Sequence, residues 1–211
     1  MTKWSVSKNR MIDGGDTWII GGAIKEEGAL EDDDSDNLSV LLPIHLSIAP
    51  DAVSATAVHA AITLPATGTT VVTTAITNPD MPRTVTAKGS ASGITGNVVI
   101  DGTNVKDEVI QDTIALSGAS EVEGVKAFKT VTSITVPAKV NGSGDTASVG
   151  IAKKIGLPHI VEHASLLLVK NFDGSADSGT LAVDTDEIEK NLFAINGTPD
   201  GTKLLDLYYL T

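Results

Sequence analysis

Apolar and polar positions alternate with a period of two along most of this chain, in short runs cut off by turn-forming residues. Arg83 to Lys88 sets Val85 and Ala87 on one face and Thr84, Thr86 and Lys88 on the other, which predicts a half-buried antiparallel strand. Glu108 to Leu116 places Ile110, Ile114 and Leu116 opposite Gln111, Thr113 and Ala115. Lys126 to Val136 groups Phe128, Ile134 and Val136 with Thr130 and Thr132. Thr69 to Thr77 is strongly β-prone because branched side chains suit a pleated surface. Val58 to Leu64 is too short for periodicity to separate a buried strand from a short helix. Asn97–Asp101, Ala147–Ile151, Ser165–Lys170, Leu181–Asp184, Asn191–Ile195 and Leu204–Leu210 are further strand candidates, and Asp184–Lys190 reads as one helical turn.

Between these runs stand Asn78-Pro79-Asp80-Met81-Pro82, Gly156-Leu157-Pro158, Asn171-Phe172-Asp173-Gly174 and Asn196-Gly197. Asp101-Gly102 is the residue pair a type I′ hairpin turn requires. Short strands and turns at this spacing, without long amphipathic helices, predict an all-β protein. The expected architecture is an antiparallel β-sandwich or barrel-like domain with an extended N-terminal arm. The expected divisions are an acidic arm at 1–48, a main β-sandwich at 49–158, and a C-terminal β subdomain at 159–211 that also reads as completion of the same sheet.

The arm stands out by texture. Gly14-Gly15 and Gly21-Gly22 punctuate it, and Glu31 to Asp36 packs like charges that repel and favour an extended chain. Trp4 and the island Trp18-Ile19-Ile20 are the candidate docking residues, against the body of this chain or a neighbouring subunit.

The formal net charge is −12 and aromatic residues make up 3%. Nucleic acid is therefore disfavoured as a partner, since phosphate wants Lys and Arg and bases stack on rings. No apolar run approaches the roughly 20 residues that cross a bilayer, and no signal peptide is visible. With no cysteine there is no disulfide, thiolate ligand or thiol nucleophile. No membrane partner and no cofactor are expected.

His159-Ile160-Val161-Glu162-His163 fits H-x-x-E-H, in which a helix would bring both imidazoles to one zinc ion. It follows Gly-Leu-Pro and leads into a β-prone run. On a strand the two histidines would lie roughly 13 Å apart, so strand-edge histidines are the expected reading. Asp32, Asp34 and Asp36 fit the start of a calcium loop, but Asn37 replaces its glycine and Pro43 its bidentate glutamate. Neither catalytic nor metal residues are assigned, and no enzyme is expected.

The central block carries a family resemblance. Val58-His59-Ala60-Ala61-Ile62, Ala75-Ile76-Thr77-Asn78-Pro79 and Pro82-Arg83-Thr84-Val85-Thr86 resemble proteins of tailed-bacteriophage structural gene clusters. So do Ala91 to Asn104, Thr113-Ile114-Ala115-Leu116, Val122-Glu123-Gly124 and Lys126 to Ile134. Gly150-Ile151, Gly156-Leu157-Pro158, Glu189-Lys190-Asn191 and Asp206-Leu207-Tyr208-Tyr209 are similar to the later elements of such proteins. The resemblance implies a non-enzymatic virion structural protein, with capsid-surface decoration favoured and a tail or fibre component as the alternative. It implies a location on the capsid exterior after assembly in the host cytoplasm, with the major capsid protein and copies of itself, as a homotrimer, for partners. The rival from another class is a carbohydrate- or cell-surface-binding β module.

Overall fold

A computed structural model describes residues 41–142 and 144–211, and these form strands and short 3-10 turns with no α-helix. The strands are β1 (Pro43–Ile48), β2 (Ser54–Thr63), β3 (Thr70–Val72), β4 (Arg83–Gly89) and β5 (Thr95–Thr103). They continue as β6 (Val109–Ser117), β7 (Val122–Phe128), β8 (Thr130–Val136), β9 (Thr146–Gly156) and β10 (Leu167–Phe172). The last four are β11 (Ser175–Ala176), β12 (Thr180–Ala182), β13 (Leu192–Ala194) and β14 (Leu205–Leu210). All their pairings are antiparallel, in three sheets ordered β3-β8-β5-β6, β12-β13-β9-β4-β7 with β2 also on β9, and β1-β14-β10-β11. The expected all-β class is what the chain adopts.

Two hydrophobic cores lie inside. The first joins Val85, Val98, Ile100, Ile114, Phe128, Ile134 and Val149, and its aliphatic side chains interdigitate between the first two sheets. The second joins Ile155, Leu157, Val161, Phe172, Phe193, Leu205, Leu207 and Tyr209 under the third sheet. Strand β9 belongs to both, giving Ala147, Val149 and Ile151 to one core and Ile155 to the other. On one side it pairs with β2 through Ile151 and then with β13 from Lys154 onward.

Arg83 occupies the junction. Opposite it, two steps along β4, from Arg83 to Val85, face four along β9, from Ile155 to Ile151. The fully buried guanidinium fills that irregularity. Its Nε donates to the Ala152 carbonyl at 2.8 Å, Nη2 donates to the same oxygen, and Nη1 donates to Asp80 Oδ1 at 2.9 Å and the Asp51 carbonyl at 3.2 Å. Asp80 Oδ2 in turn accepts from the Asp51 N–H at 2.8 Å. Strand alternation places Arg83 on the Val85 face, and only this set of acceptors makes burial of its charge tolerable.

Other expectations are corrected here. Strand β4 is buried on both faces, with Arg83, Val85 and Ala87 on one and Thr84 and Thr86 on the other all buried, while β7 and β9 cover its two edges. Asp101-Gly102 is no hairpin turn. It lies within β5, where a Cβ at Gly102 would come 2.0 Å from the Thr130 carbonyl oxygen, so close approach rather than turning demands the glycine. The β5–β6 reversal is built by Asn104, whose Oδ1 accepts from the N–H groups of Lys106 at 2.9 Å and Glu108 at 3.1 Å. Lys126–Val136 is two strands, parted at Lys129. Of Thr69–Thr77 only Thr70–Val72 is strand. The segment assigned to the arm as 1–48 contains β1, a full member of the third sheet.

Candidate functional site

Trp4, Trp18, Ile19, Ile20 and the acidic run at 31–36 lie outside the described residues. His159, Glu162 and His163 sit on irregular backbone rather than on a helix or a strand edge. The segment is pinned by Val161, which is buried and whose N–H donates to Asn191 Oδ1 at 3.0 Å. His159 Nδ1 lies 3.0 Å from the Tyr209 hydroxyl, while Glu162 and His163 are exposed. Burial pushes the Tyr209 phenol up to about 12. Among the described residues no group of three or more His, Cys, Asp or Glu side chains is arranged to hold a metal ion.

A polar cluster ties the C-terminal segment to the first core. The 3-10 turn Ile188–Lys190 sets Glu187 and Glu189 beside Lys126 of β7, at 2.7 and 3.1 Å. Asn104 Nδ2 donates to Glu108 Oε2 at 2.8 Å and to Glu189 Oε2 at 3.2 Å, bridging the β5–β6 turn to the same group. Hydrogen bonds from Lys126 and then Lys190 hold Glu187 below the usual carboxylate value. Burial pushes Glu189 up, but its backbone N–H, Asn104 and Lys126 outweigh that and leave it lowered. Lys126 is raised, chiefly by Glu187 and against its own desolvation. The backbone N–H groups of Glu187 and Asp186 lower Asp184, which caps the approach to the turn. A cleft of about 280 Å³ opens beside this cluster, lined in part by Asn104, Glu108, Ile160 and Glu189. Lys126 and Lys190 pair with Glu187 and Glu189, and neutral N–H donors hold Glu108 and Asp184, so the cluster works as a clasp.

The outer face of the third sheet is the more exposed feature. His45 of β1 stacks on Tyr208 of β14, with ring centroids 4.1 Å apart and planes 5° from parallel. His45 Nε2 donates to Asp206 Oδ1 at 3.1 Å. Asp206 is held below its usual value by Ser47 first and His45 second. Val169 pairs with Tyr208 on this face and Leu168 bulges beside it; Leu168, Val169 and Tyr208 are each at least 40% exposed. Ser, His and Asp thus meet in an order unsuited to nucleophilic catalysis, because the carboxylate takes both bonds. The Ser47 hydroxyl has Asp206, not the imidazole, as its acceptor. What this face presents is the His45–Tyr208 stack, the Asp206 carboxylate beside it and the exposed aliphatic side chains of Leu168 and Val169.

Sequence reasoning missed this face. Its signal was the alternation of Pro43-Ile44-His45-Leu46-Ser47-Ile48, which reads as a strand once the acidic residues before it are set aside. No protein-family model, no curated protein and no solved structure matches the chain.

Proposed function

We propose that this chain is a non-enzymatic structural protein of a tailed-bacteriophage virion, acting as a decoration protein on the capsid exterior. The observation that supports the reading most is the body itself: two cores on one shared strand, every sheet antiparallel, and the exposed groups arranged as strand edges and a recognition face. A shell component needs a body that keeps its shape and surfaces that bind neighbours, and such a body serves that need. A net charge of −12 suits the outside of a shell better than its DNA-filled interior. In this reading the partners are the major capsid protein and copies of the chain itself, as a homotrimer matching the local threefold positions of a lattice.

The carbohydrate-binding reading weakens on ring supply. Phe128, Phe172, Phe193 and Tyr209 are all buried, which leaves Tyr208 as the exposed ring among the described Phe and Tyr residues. The decisive experiment incubates purified full-length protein with empty capsids and with tails, beside a glycan array. Saturable capsid binding with a three-chain mass by light scattering supports the proposal. Binding to tails alone moves the role to a tail or fibre component, and saturable sugar binding without either favours the module.

A further inference from the structure

Among the described residues β1 pairs with β14 alone, so its other edge is open. Leu42 and Thr211 exchange two backbone bonds, at 2.9 and 3.1 Å. Opposed residues in an antiparallel ladder alternate between bonded and non-bonded pairs, and the β1–β14 register runs unbroken from Pro43 to Ile48. Ile44, Leu46 and Ile48 therefore bond to β14, while Pro43, His45 and Ser47 turn their backbone groups to the open side. Proline lacks an N–H, so that edge offers the Pro43 carbonyl and then both groups of His45 and Ser47. Strand β1 carries no charged residue to blunt it. Its inward side chains Ile44, Leu46 and Ile48 pack on the second core but remain only partly buried.

The chain enters β1 through residues 1–40, and these contain a segment with the chemistry to cover the edge. Thr17-Trp18-Ile19-Ile20 is itself uncharged and β-prone, preceded by Gly14-Gly15-Asp16 and followed directly by Gly21-Gly22. We propose that Thr17–Ile20 of the chain's own N-terminal segment adds to the open edge of β1 as a fifth strand of that sheet. Alternate side chains of the added strand extend the second core beyond Ile44 and Leu46, and the others extend the outer face beside His45. Residues 21–41 span up to roughly 70 Å at ~3.3 Å per residue, ample to run back along β1 with the acidic stretch in solvent. A tether of this kind holds its end at about millimolar effective concentration, so the chain's own segment outcompetes a neighbour's. The proposal stands apart from the virion reading and survives or fails without it.

Both tryptophans of the chain, Trp4 and Trp18, lie in the N-terminal segment. In the full-length Trp4→Phe variant, Trp18 is then a single reporter. Its emission should be blue-shifted and several-fold protected from acrylamide. Ser47→Pro, which removes an outward N–H, should release it to solvent while the far-UV β signal persists. A second measurement covers the case in which that variant fails to fold. Cysteine placed at each of positions 17 to 20, paired with Ser47→Cys, should form an intramolecular disulfide at one or two positions on mild oxidation. Fully solvent-exposed Trp18 in the folded Trp4→Phe chain, or no disulfide at any of the four, overturns the proposal. Disulfide-linked dimers in place of monomers, or Trp18 burial lost on dilution, overturns it in favour of exchange between copies.

Discussion

The two cores reach stability by different routes. The first is almost wholly aliphatic, with Phe128 its only buried ring, and much of it comes from neighbouring hairpins such as β5–β6. The second holds Phe172, Phe193 and Tyr209 and is closed by β1 and β14, strands from opposite ends of the described chain. Local pairing forms early and cheaply, whereas pairing β1 with β14 must wait for the intervening chain to be ordered. Two such bodies would melt independently unless something couples them. Shared strand β9 joins them through the backbone, and Arg83 and the Lys126 cluster add side-chain couplings across the junction.

Arg83→Met is the largest way to break the comparison. It leaves the Asp80 carboxylate and the Ala152 carbonyl without their partner, at a cost of about 5 kcal/mol from a buried pair and its hydrogen bonds. The chain's two tyrosines, Tyr208 and Tyr209, both belong to the third sheet. In a background with Trp4 and Trp18 changed to Phe they report that region alone. Urea transitions followed by tyrosine signal and by far-UV circular dichroism should coincide before the Arg83 change and separate after it. Coincident curves in the Arg83→Met variant would show that the cores are coupled by shared β9 without it.

Phe193→Ala and Phe128→Ala come next, at about 4 kcal/mol each for a buried ring. With coupling intact, both should move a single transition by similar amounts despite lying in different cores. A Phe128→Ala variant that leaves the tyrosine transition in place would mark the second core as autonomous.

The Lys126 cluster gives a smaller, pH-dependent effect. Glu187, Glu189 and Asp184 have lowered values in the fold, so their stabilisation is present above the unfolded carboxylate range and lost as pH falls through the folded values. Lys126 and Lys190 are raised, so their share is complete below 10.5 and lost as pH rises through their folded values. Lys126→Met should cost about 1–3 kcal/mol near neutral pH, and the difference from the parent should shrink below about pH 4. A difference that is constant down to pH 2 in urea titrations would refute the clasp.

Removing residues 1–40 should shift stability least, by about 1 kcal/mol, and leave a cooperatively melting β protein by circular dichroism. The cut has to fall before Pro43, since a deletion through residue 45 would take half of β1.

How much of this was legible beforehand depended on whether local chemistry and tertiary need agreed. In β6 they did: Ile110, Ile114 and Leu116 point inward as the alternation predicts. Asp112 shares their face, and its carboxylate accepts from the N–H groups of Val125 and Lys126, completing a corner that no pattern announces. The Asp173-Gly174 turn held because both residues adopt positive φ, 53° and 74°, as that reversal between β10 and β11 requires. Asp101-Gly102 misled because glycine serves close approach as well as turns. Arg83 was invisible as a keystone because burying a charge depends on carbonyls from Asp51 and Ala152, remote in sequence. The outer face of the third sheet was hidden behind the acidic segment, whose texture masked the first strand.

The Leu42–Thr211 pair also sets how the fold answers force. Both residues lie at the same end of the β1–β14 ladder, so a pull that separates them acts across the hydrogen bonds rather than along the strands. The bonds then part in sequence from that end, as a zipper opens, and each pair carries the strain alone. A load between the first core and Thr211 meets β14 differently, since β10 and β1 grip it from both sides. Force applied at both ends of the described chain therefore peels this ladder open.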